Sequence, residues 1–501
     1  MTDRFILSRL LTLSLLTFAW TNSYANNYTP AVCPTPEKIE VSATDYSPLR
    51  QVFIECKTSE SARIWAEKHL MQWYGDFAPE TKTKTLHGES PIPGGYTLDI
   101  KEGEVKIRAC DLDGVRHALF SLRQLVIPAR GTKTVQGYIA PETTIEDRPA
   151  MGFRGVHLCW FPETDAADIE RKIRMAAYYK FNYVVIESWG TFRSEKNPWL
   201  GWPDGKMTKE EIIRLRTIAE DLGVTLIPQF NVFGHASGSR IRSGKHASLD
   251  FSPEYQPLFE PEGGWNWCLS NPETFKVQSE MICEMLEAFG NPPFFHIGCD
   301  EAEAPSCPDC IRQPYSELFV RHLTSICELL ARNGARAMMW HDMLLEKGDP
   351  RWKGFYANGT KQTSDVSRLP KSIVVCDWFY GGPCGSYPTL DYFKEKGFDV
   401  LSCPKANLEG IVSQGQYVRK SGLFGVLGTT WAEYYGKSYV NNLSQLADAV
   451  WSMDLRQITS WNTIRLRFAT HLRHIGWDMG ISDYRDTGFY EVQVDDDVNR
   501  L

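Results

Sequence analysis

The sequence lacks the features that mark several large classes of protein. Beyond residue 25, no apolar run approaches the roughly 20 residues that a membrane-spanning helix needs, so no membrane span is expected. No glycine-rich phosphate loop follows any strand-like segment, which counts against the nucleotide-binding form of an open α/β sheet. No repeat of solenoid length is visible. An excess of positive charge is also missing. Lys and Arg number 54 against 62 Asp and Glu, a net charge of −8, so no nucleic-acid or anionic-membrane partner is expected. A second Cys-x-x-Cys is absent as well. Cys307-Pro308-Asp309-Cys310 can be redox-active, half of a zinc site with Cys268, His235 or His341 nearby, or a strained local bridge. Without a second pair at regular spacing, a loop role is expected and no metal.

What is present begins with a leader-like segment. Arg4 and Arg9 flank its start, Leu10 to Trp20 is apolar, and Ser23-Tyr24-Ala25 offers a small-x-small cleavage site. The expectation is a signal peptide over residues 1–25, cut after Ala25, and export to a periplasmic or extracellular space. Export permits disulfides, and the thirteen cysteines are an odd number whose pairing the sequence cannot assign. Cys159, Cys299, Cys376 and Cys403 fall in or at the ends of apolar strand-like runs and are expected as small core residues.

A length of 501 residues suggests two or three domains. Residues 26–147 read as a small α+β domain. Strand-like runs at Ile39–Ser42 and Arg50–Glu55 precede a helical pattern from Ser59 to Trp73. A hairpin then joins Tyr96–Ile100 to Val105–Ala109, and a second helix runs from Gly114 to Leu125. From residue 148 the rhythm becomes strand, helix, strand, helix. Strands are predicted at Phe153–Leu158, Tyr183–Ile186, Thr225–Phe230, Phe294–Cys299, Arg336–Trp340, Ile373–Cys376, Asp399–Cys403 and Gly425–Thr430. Thr208 and Glu211 form a capping box, and Asn271-Pro272 starts another helix. Eight such units predict a (β/α)8 TIM barrel over residues 148–501, with a doubly wound sheet as the alternative. A long polar and aromatic insertion, roughly His235 to Ser270, separates the third and fourth strands. Leu443 to Trp451 reads as a last helix, and Asp495-Asp496-Asp497 as a solvated charge run in the tail.

Barrel enzymes keep their chemistry at the C-terminal ends of the strands. The side-by-side acids Asp300 and Glu301 follow the fourth strand. Strand side chains alternate between faces, so these two can share a site only if the backbone turns there. Adjacent carboxylates repel, so one is expected to hold its proton near neutral pH. An acid beside an anion is equipment for breaking a glycosidic bond. The other strand-end residues are Glu187 and Trp189, His235, Trp340 and Asp342, Asp377 and Trp378, and Trp431 and Glu433, with Arg154 early in the first strand. Three of these tryptophans, Trp340, Trp378 and Trp431, with Arg and carboxylates suit a sugar pocket, in which C–H faces pack on rings and hydroxyls meet polar groups.

His296-Ile297-Gly298-Cys299-Asp300-Glu301 resembles the His-x-Gly-Gly-Asp-Glu signature of glycoside hydrolase family 20, the exo-β-N-acetylhexosaminidases. Phe153-Arg154-Gly155, the run Ile227 to His235, Leu269 to Thr274 and Trp431-Ala432-Glu433 are similar to further motifs of that family. Gly95 to Leu98 and Gly114 to Leu119 resemble its non-catalytic N-terminal domain. The resemblance implies hydrolysis of terminal β-linked N-acetylhexosamine from an oligosaccharide or glycoconjugate, without cofactor. The substrate's acetamido oxygen would act as nucleophile and form an oxazolinium ion. Asp300 would orient the acetamido group, and Glu301 would serve as acid and then base. Arg154 would bind O3 and O4, and Glu433 would take O4 or O6. Trp340, Trp378 and Trp431 would wall the sugar, and His235 would tune Glu301. A glycan-binding protein without activity, and a glycosidase for a modified (for example sulfated) sugar, are the alternatives within the resemblance; a zinc hydrolase centred on Cys307 and Cys310 is a further rival.

This chain departs from the family pattern at four places. Cys299 stands where glycine is usual, and Gln229 replaces a glutamate. Glu187-Ser188-Trp189-Gly190 replaces Asp-Asp-Gln after the second strand. The seventh-strand run Ser402 to Asn407 has no tyrosine to hold the acetamido oxygen, and Tyr434 is a candidate substitute.

Overall fold

The computed structural model describes residues 32–88, 91–129, 137–237, 245–246, 248–261, 263–405, 407–431, 443 and 446–452. The leader, Glu433, Tyr434 and the charged tail lie outside the described residues. Chain contacts divide the molecule into one unit up to Arg148 and another from Pro149.

Among the described residues, the first unit is a mixed sheet with two α-helices. Its strands are β1 (Lys38–Pro48), β2 (Gln51–Cys56), β3 (Glu80–Thr85), β4 (Tyr96–Lys101), β5 (Glu104–Ala109), β6 (Ile127–Pro128) and β7 (Tyr138–Asp147). The sheet order is β1-β7-β4-β5-β2-β3, with β6 paired to β7. The predicted hairpin is β4–β5, antiparallel from Tyr96↔Ala109 to Lys101↔Glu104. β3, β6 and β7 escape the sequence reading. β3 reads Glu-Thr-Lys-Thr-Lys-Thr and has no buried residue, so nothing in its pattern distinguishes it from a loop. The helices run Ser59–Tyr74 and Leu112–Leu125. Asp111 caps the second by accepting a hydrogen bond from the Gly114 amide.

The second unit contains the eight predicted strands. They are β8 (Phe153–Trp160), β9 (Tyr183–Ser188), β10 (Thr225–Gln229), β11 (Phe294–His296), β12 (Arg336–Trp340), β13 (Val374–Trp378), β14 (Asp399–Cys403) and β15 (Gly425–Gly428). Each pairs in parallel with the next, and β15 returns to β8, so the sheet closes as a (β/α)8 barrel. A parallel barrel covered by helices buries both strand faces, which explains apolar runs without alternation. All eight residues of β8 are buried. The two helix caps expected from the sequence both form. Thr208 Oγ1 accepts from the Glu211 amide, and Asn271 Oδ1 from the Glu273 amide. All thirteen cysteines are unbridged, and Cys159, Cys299, Cys376 and Cys403 are buried as expected. No helix among the described residues is long and apolar enough to cross a membrane.

Candidate active site

β11 ends at His296, three residues earlier than the apolar run predicts. The reason lies in the backbone. Gly298, Cys299 and Glu301 have φ of 66°, 74° and 47°, so the chain leaves strand geometry while Asp300 and Glu301 are being placed. It stays tied to β12, since the Ile297 amide donates to Met338 O (2.8 Å) and the Trp340 amide to Gly298 O (3.0 Å). A side chain at Gly298 would meet the Asn231 side chain at 2.3 Å, and one at Gly234 would meet Asp300 O at 2.3 Å. His235 (φ 55°) and Trp431 (φ 43°) are left-handed as well. Such conformations cost a non-glycine residue energy and concentrate at functional sites. Here Cys299, Glu301, His235 and Trp431 all lie just past the C-terminal ends of barrel strands.

Asp300 is buried and held on both oxygens. Asn231 Nδ2 donates to Oδ1 (3.0 Å). Oδ2 faces His235 Nε2 at 3.4 Å and the Lys245 ammonium at 3.8 Å. Lys245 is itself buried and reaches Glu187 Oε1 at 2.5 Å. Glu187 also accepts from Gln229 Nε2 and from Trp189 Nε1 (3.0 Å), and His157 Nε2 is 3.4 Å away. Burial alone would raise the Glu187 carboxyl. The Lys245 charge, then the bond from His157, outweigh burial and hold it well below the usual carboxylate range. Burial would lower the Lys245 ammonium, but Asp300 and Glu187 together push it above its ordinary value. The departure at Gln229 now has a physical reading. A glutamate there would set a second buried anion against Glu187.

Glu301 is placed differently. Its side chain is 50% exposed, against 7% for Asp300. Its amide donates to Asp342 Oδ2 (2.9 Å), and its carbonyl accepts from Trp265 Nε1 (2.8 Å). Asp342 is fully buried and also accepts from Asn358 Nδ2 (2.9 Å) and Trp378 Nε1 (3.3 Å). Burial first, and the Asp300 charge second, raise the Asp342 carboxyl. His235 Nε2 lies 3.3 Å from Glu301 Oε2, and the bond it offers lowers the Glu301 carboxyl against the opposing effect of burial. The sequence argument expects one acid of the pair to keep its proton through mutual repulsion. Glu301 in the free protein moves the opposite way, because the bond from His235, with the His235 and Lys245 charges added, outweighs burial.

The aromatic residues form a connected group. Trp431 lies 5.2 Å from Trp340 and 4.8 Å from His157, ring centre to ring centre. Its indole N–H donates to the Tyr380 hydroxyl. Trp378 stacks on Tyr356 at 4.1 Å and lies 5.4 Å from Tyr380. Lys245 Nζ is 5.5 Å from the ring centres of both Trp189 and Trp431. Trp265 packs 4.4 Å from His235.

Comparison with known proteins bears on the family and the fold. The model "Glycosyl hydrolase family 20, catalytic domain" matches residues 182–452, more than half of the chain, and "Glycosyl hydrolase family 20, domain 2" matches residues 29–148. The chain belongs to glycosyl hydrolase family 20. Among curated relatives, a beta-hexosaminidase of Vibrio furnissii is 23% identical over 306 residues, covering 54% of this chain and 49% of the relative. One of Akkermansia muciniphila is 24% identical over 306 residues, covering 52% and 59%. The matches thus span about half the length of these relatives. Among solved structures, the GH20 exo-β-N-acetylglucosaminidase of Vibrio harveyi in complex with N-acetylglucosamine superimposes with a TM-score of 0.67 at 20% identity, covering 91% of this chain and 79% of the other. The β-N-acetylhexosaminidase of Bacteroides fragilis gives 0.65 at 18%, covering 90% and 96%. These likenesses concern the fold.

Within this family 20 chain, the structure brings Asp300, Glu301 and His235 together and sets Trp431 against Trp340. Two expectations need correction. Arg154 is the second residue of β8, at the N-terminal end of the barrel. Six residues of strand, about 20 Å, separate it from the mouth at Trp160. Alternation turns it outward, because its neighbour Phe153 belongs to the barrel core. There it donates to Lys180 O and Met151 O, both at 2.9 Å, and its guanidinium lies 5.1 Å from the Trp451 ring centre. Trp340 is not at an open rim either; it has no exposed surface and lies 4.2 Å from the His296 ring. The sequence reading assigned no role to Asn231, Lys245, Trp265 or Tyr380. Asn231 stands inside the third-strand motif, and that motif could have indicated it. Lys245 is one lysine in a polar insertion, and only folding brings it under Asp300.

Proposed function

We propose that this protein hydrolyses terminal β-linked N-acetylhexosamine from glycans, with retention and through an oxazolinium intermediate formed by the substrate's own acetamido group. The observation that carries the reading is the unequal setting of the two acids. Asp300 is sunk and engaged on both oxygens by Asn231, His235 and Lys245, which suits an orienting anion better than an attacking nucleophile. Glu301 reaches outward, where a leaving-group oxygen can receive its proton. Substrate covering Glu301 would remove water and raise its carboxyl toward the value a general acid needs. Asp300 would take the acetamido N–H and stabilise the positive ring as it forms. Trp431 and Trp378 would pack against the sugar. Tyr380, two residues past β13, would hold the acetamido oxygen in place of the missing seventh-strand tyrosine. With Arg154 at the far end of the barrel, the O3 and O4 hydroxyls must find other partners.

The test is a screen of aryl β-N-acetylglucosaminides and galactosaminides against the matching plain hexosides, with Glu301→Gln as control. Hydrolysis confined to the N-acetyl sugars is expected. Equal turnover of sugars with a plain 2-hydroxyl excludes substrate assistance, and no turnover of any sugar leaves glycan binding without catalysis. In the same screen Tyr380→Phe should lower kcat for N-acetyl substrates about a hundredfold or more, the scale of losing one preorganised donor; an unchanged kcat removes Tyr380 from the site.

A further inference from the structure

Beyond the barrel mouth, the structure adds to Cys307 and Cys310 what their sequence spacing lacked. Cys268, at the end of the long insertion, brings its Sγ to 3.6 Å from that of Cys307 and 3.7 Å from that of Cys310. Glu260 completes the group, and one ligand atom from each of the four residues lies within 4.8 Å of all the others. No pair of these sulfurs is bridged. A tetrahedral zinc with Zn–S bonds of 2.3 Å has sulfur-to-sulfur edges of about 3.8 Å, close to both measured separations.

The carboxylate makes the case stronger. Glu260 is 5% exposed, and no Lys, Arg or His pairs with it among the described residues. The Ser306 and Cys307 amides donate to its Oε2 at 2.7 and 2.6 Å, and the Ser306 hydroxyl lies 3.3 Å from the same atom. A buried carboxylate against three buried thiols and no cation is costly. A divalent ion at their centre supplies the missing charge. Three soft sulfurs and one oxygen select zinc over calcium or magnesium.

We infer that Cys268, Cys307, Cys310 and Glu260 form a structural zinc site. On binding, the three thiols release their protons to solvent and the ion closes a four-ligand shell, with no position left for substrate. Its mechanical consequence follows from the chain. The ion clasps the segment ending at Cys268 to the segment that follows Glu301. Between them, Asn266 Nδ2 donates to Glu303 O (2.8 Å) and the Glu303 amide donates back to Asn266 Oδ1 (3.1 Å). Trp265 Nε1 holds Glu301 O in the same zipper. Zinc would thereby stiffen the loops that aim Glu301.

The experiment measures zinc per chain in the full-length protein purified with zinc supplied and then dialysed, and reads the spectrum after exchange into cobalt. About one tightly held zinc per chain is expected, with thiolate-to-cobalt charge-transfer bands and a tetrahedral d–d pattern. Cys307→Ser and Cys310→Ser should lose the metal, Glu260→Gln should bind it about tenfold or more weakly, and Cys283→Ser should keep it. Hydrogen exchange of the wild-type protein after chelation should rise in residues 258–310 and stay unchanged in β12 to β14. Substoichiometric zinc, cobalt without thiolate bands, or a Cys307–Cys310 disulfide in the intact mass overturns the inference, and none of these readouts depends on activity.

Discussion

At the scale of single residues, the two acids differ in what removing them should do. On the proposed mechanism, Glu301→Gln takes away the proton donor and leaves the buried network around Asp300 intact. Turnover of substrates with poor leaving groups is expected to fall steeply, and that of activated aryl substrates much less, since a good leaving group departs without a proton. Equal losses on both classes would show that Glu301 is not the acid. Asp300→Ala removes a charge that Asn231, His235 and Lys245 all address. Loss of a preorganised electrostatic partner costs about 2.7–4 kcal/mol of barrier, on the order of a hundredfold to a thousandfold in rate. A thiazoline mimic of the oxazolinium ion should accordingly bind the wild type tightly and Asp300→Ala poorly. Unchanged thiazoline affinity would sink the substrate-assisted reading.

At the scale of the element, the turn after β11 carries the site. Its left-handed residues let two consecutive acids both face His235, which no extended strand allows. Gly298 is the position where that turn tolerates no side chain. Gly298→Ala adds a methyl 2.3 Å from the Asn231 side chain and a left-handed non-glycine conformation, which alone costs about 1–2 kcal/mol. Asn231 must then move off Asp300. The expected outcome is a folded barrel with lower stability in urea and a loss of kcat approaching that of Asp300→Ala. Full activity in this variant would mean that Asn231 does not orient Asp300. Cys299, left-handed at φ 74° and wholly buried, shows that the turn accepts one strained residue where glycine is usual, provided the core packs around it.

At the scale of the whole molecule, the Glu187–Lys245 pair links the site to stability and to pH. Glu187 is held below its ordinary value of 4.5, so its contribution is complete above that pH and is lost as pH falls through the lower folded value. Lys245 is raised above its ordinary 10.5, so its contribution is complete below that pH and is lost as pH rises through the higher folded value. The pair therefore stabilises the barrel throughout the range between those ordinary values. Lys245→Met leaves a buried carboxylate unpaired and should cost about 3–5 kcal/mol in urea unfolding at pH 7. The double variant Lys245→Met with Glu187→Gln should recover most of that loss and show a smaller fall in stability below pH 4.5 than the wild type. If the double variant is no more stable than the single one, the two side chains are not coupled. The sequence by itself determined eight strand–helix units and the acids at the end of the fourth strand, because these rest on local apolar runs, helix caps and adjacent residues; closure into a barrel rather than an open doubly wound sheet is visible only in the pairing of β15 with β8. It also placed His235 beside them through motif resemblance. Only the tertiary structure decided the rest. Strand parity and strand end put Arg154 away from the mouth, and closure of the barrel sealed Trp340 inside. Residues 260, 268, 307 and 310 became one cluster, and residues 187, 245 and 300 another. Such groupings depend on long-range closure, which leaves no period in the chain to read.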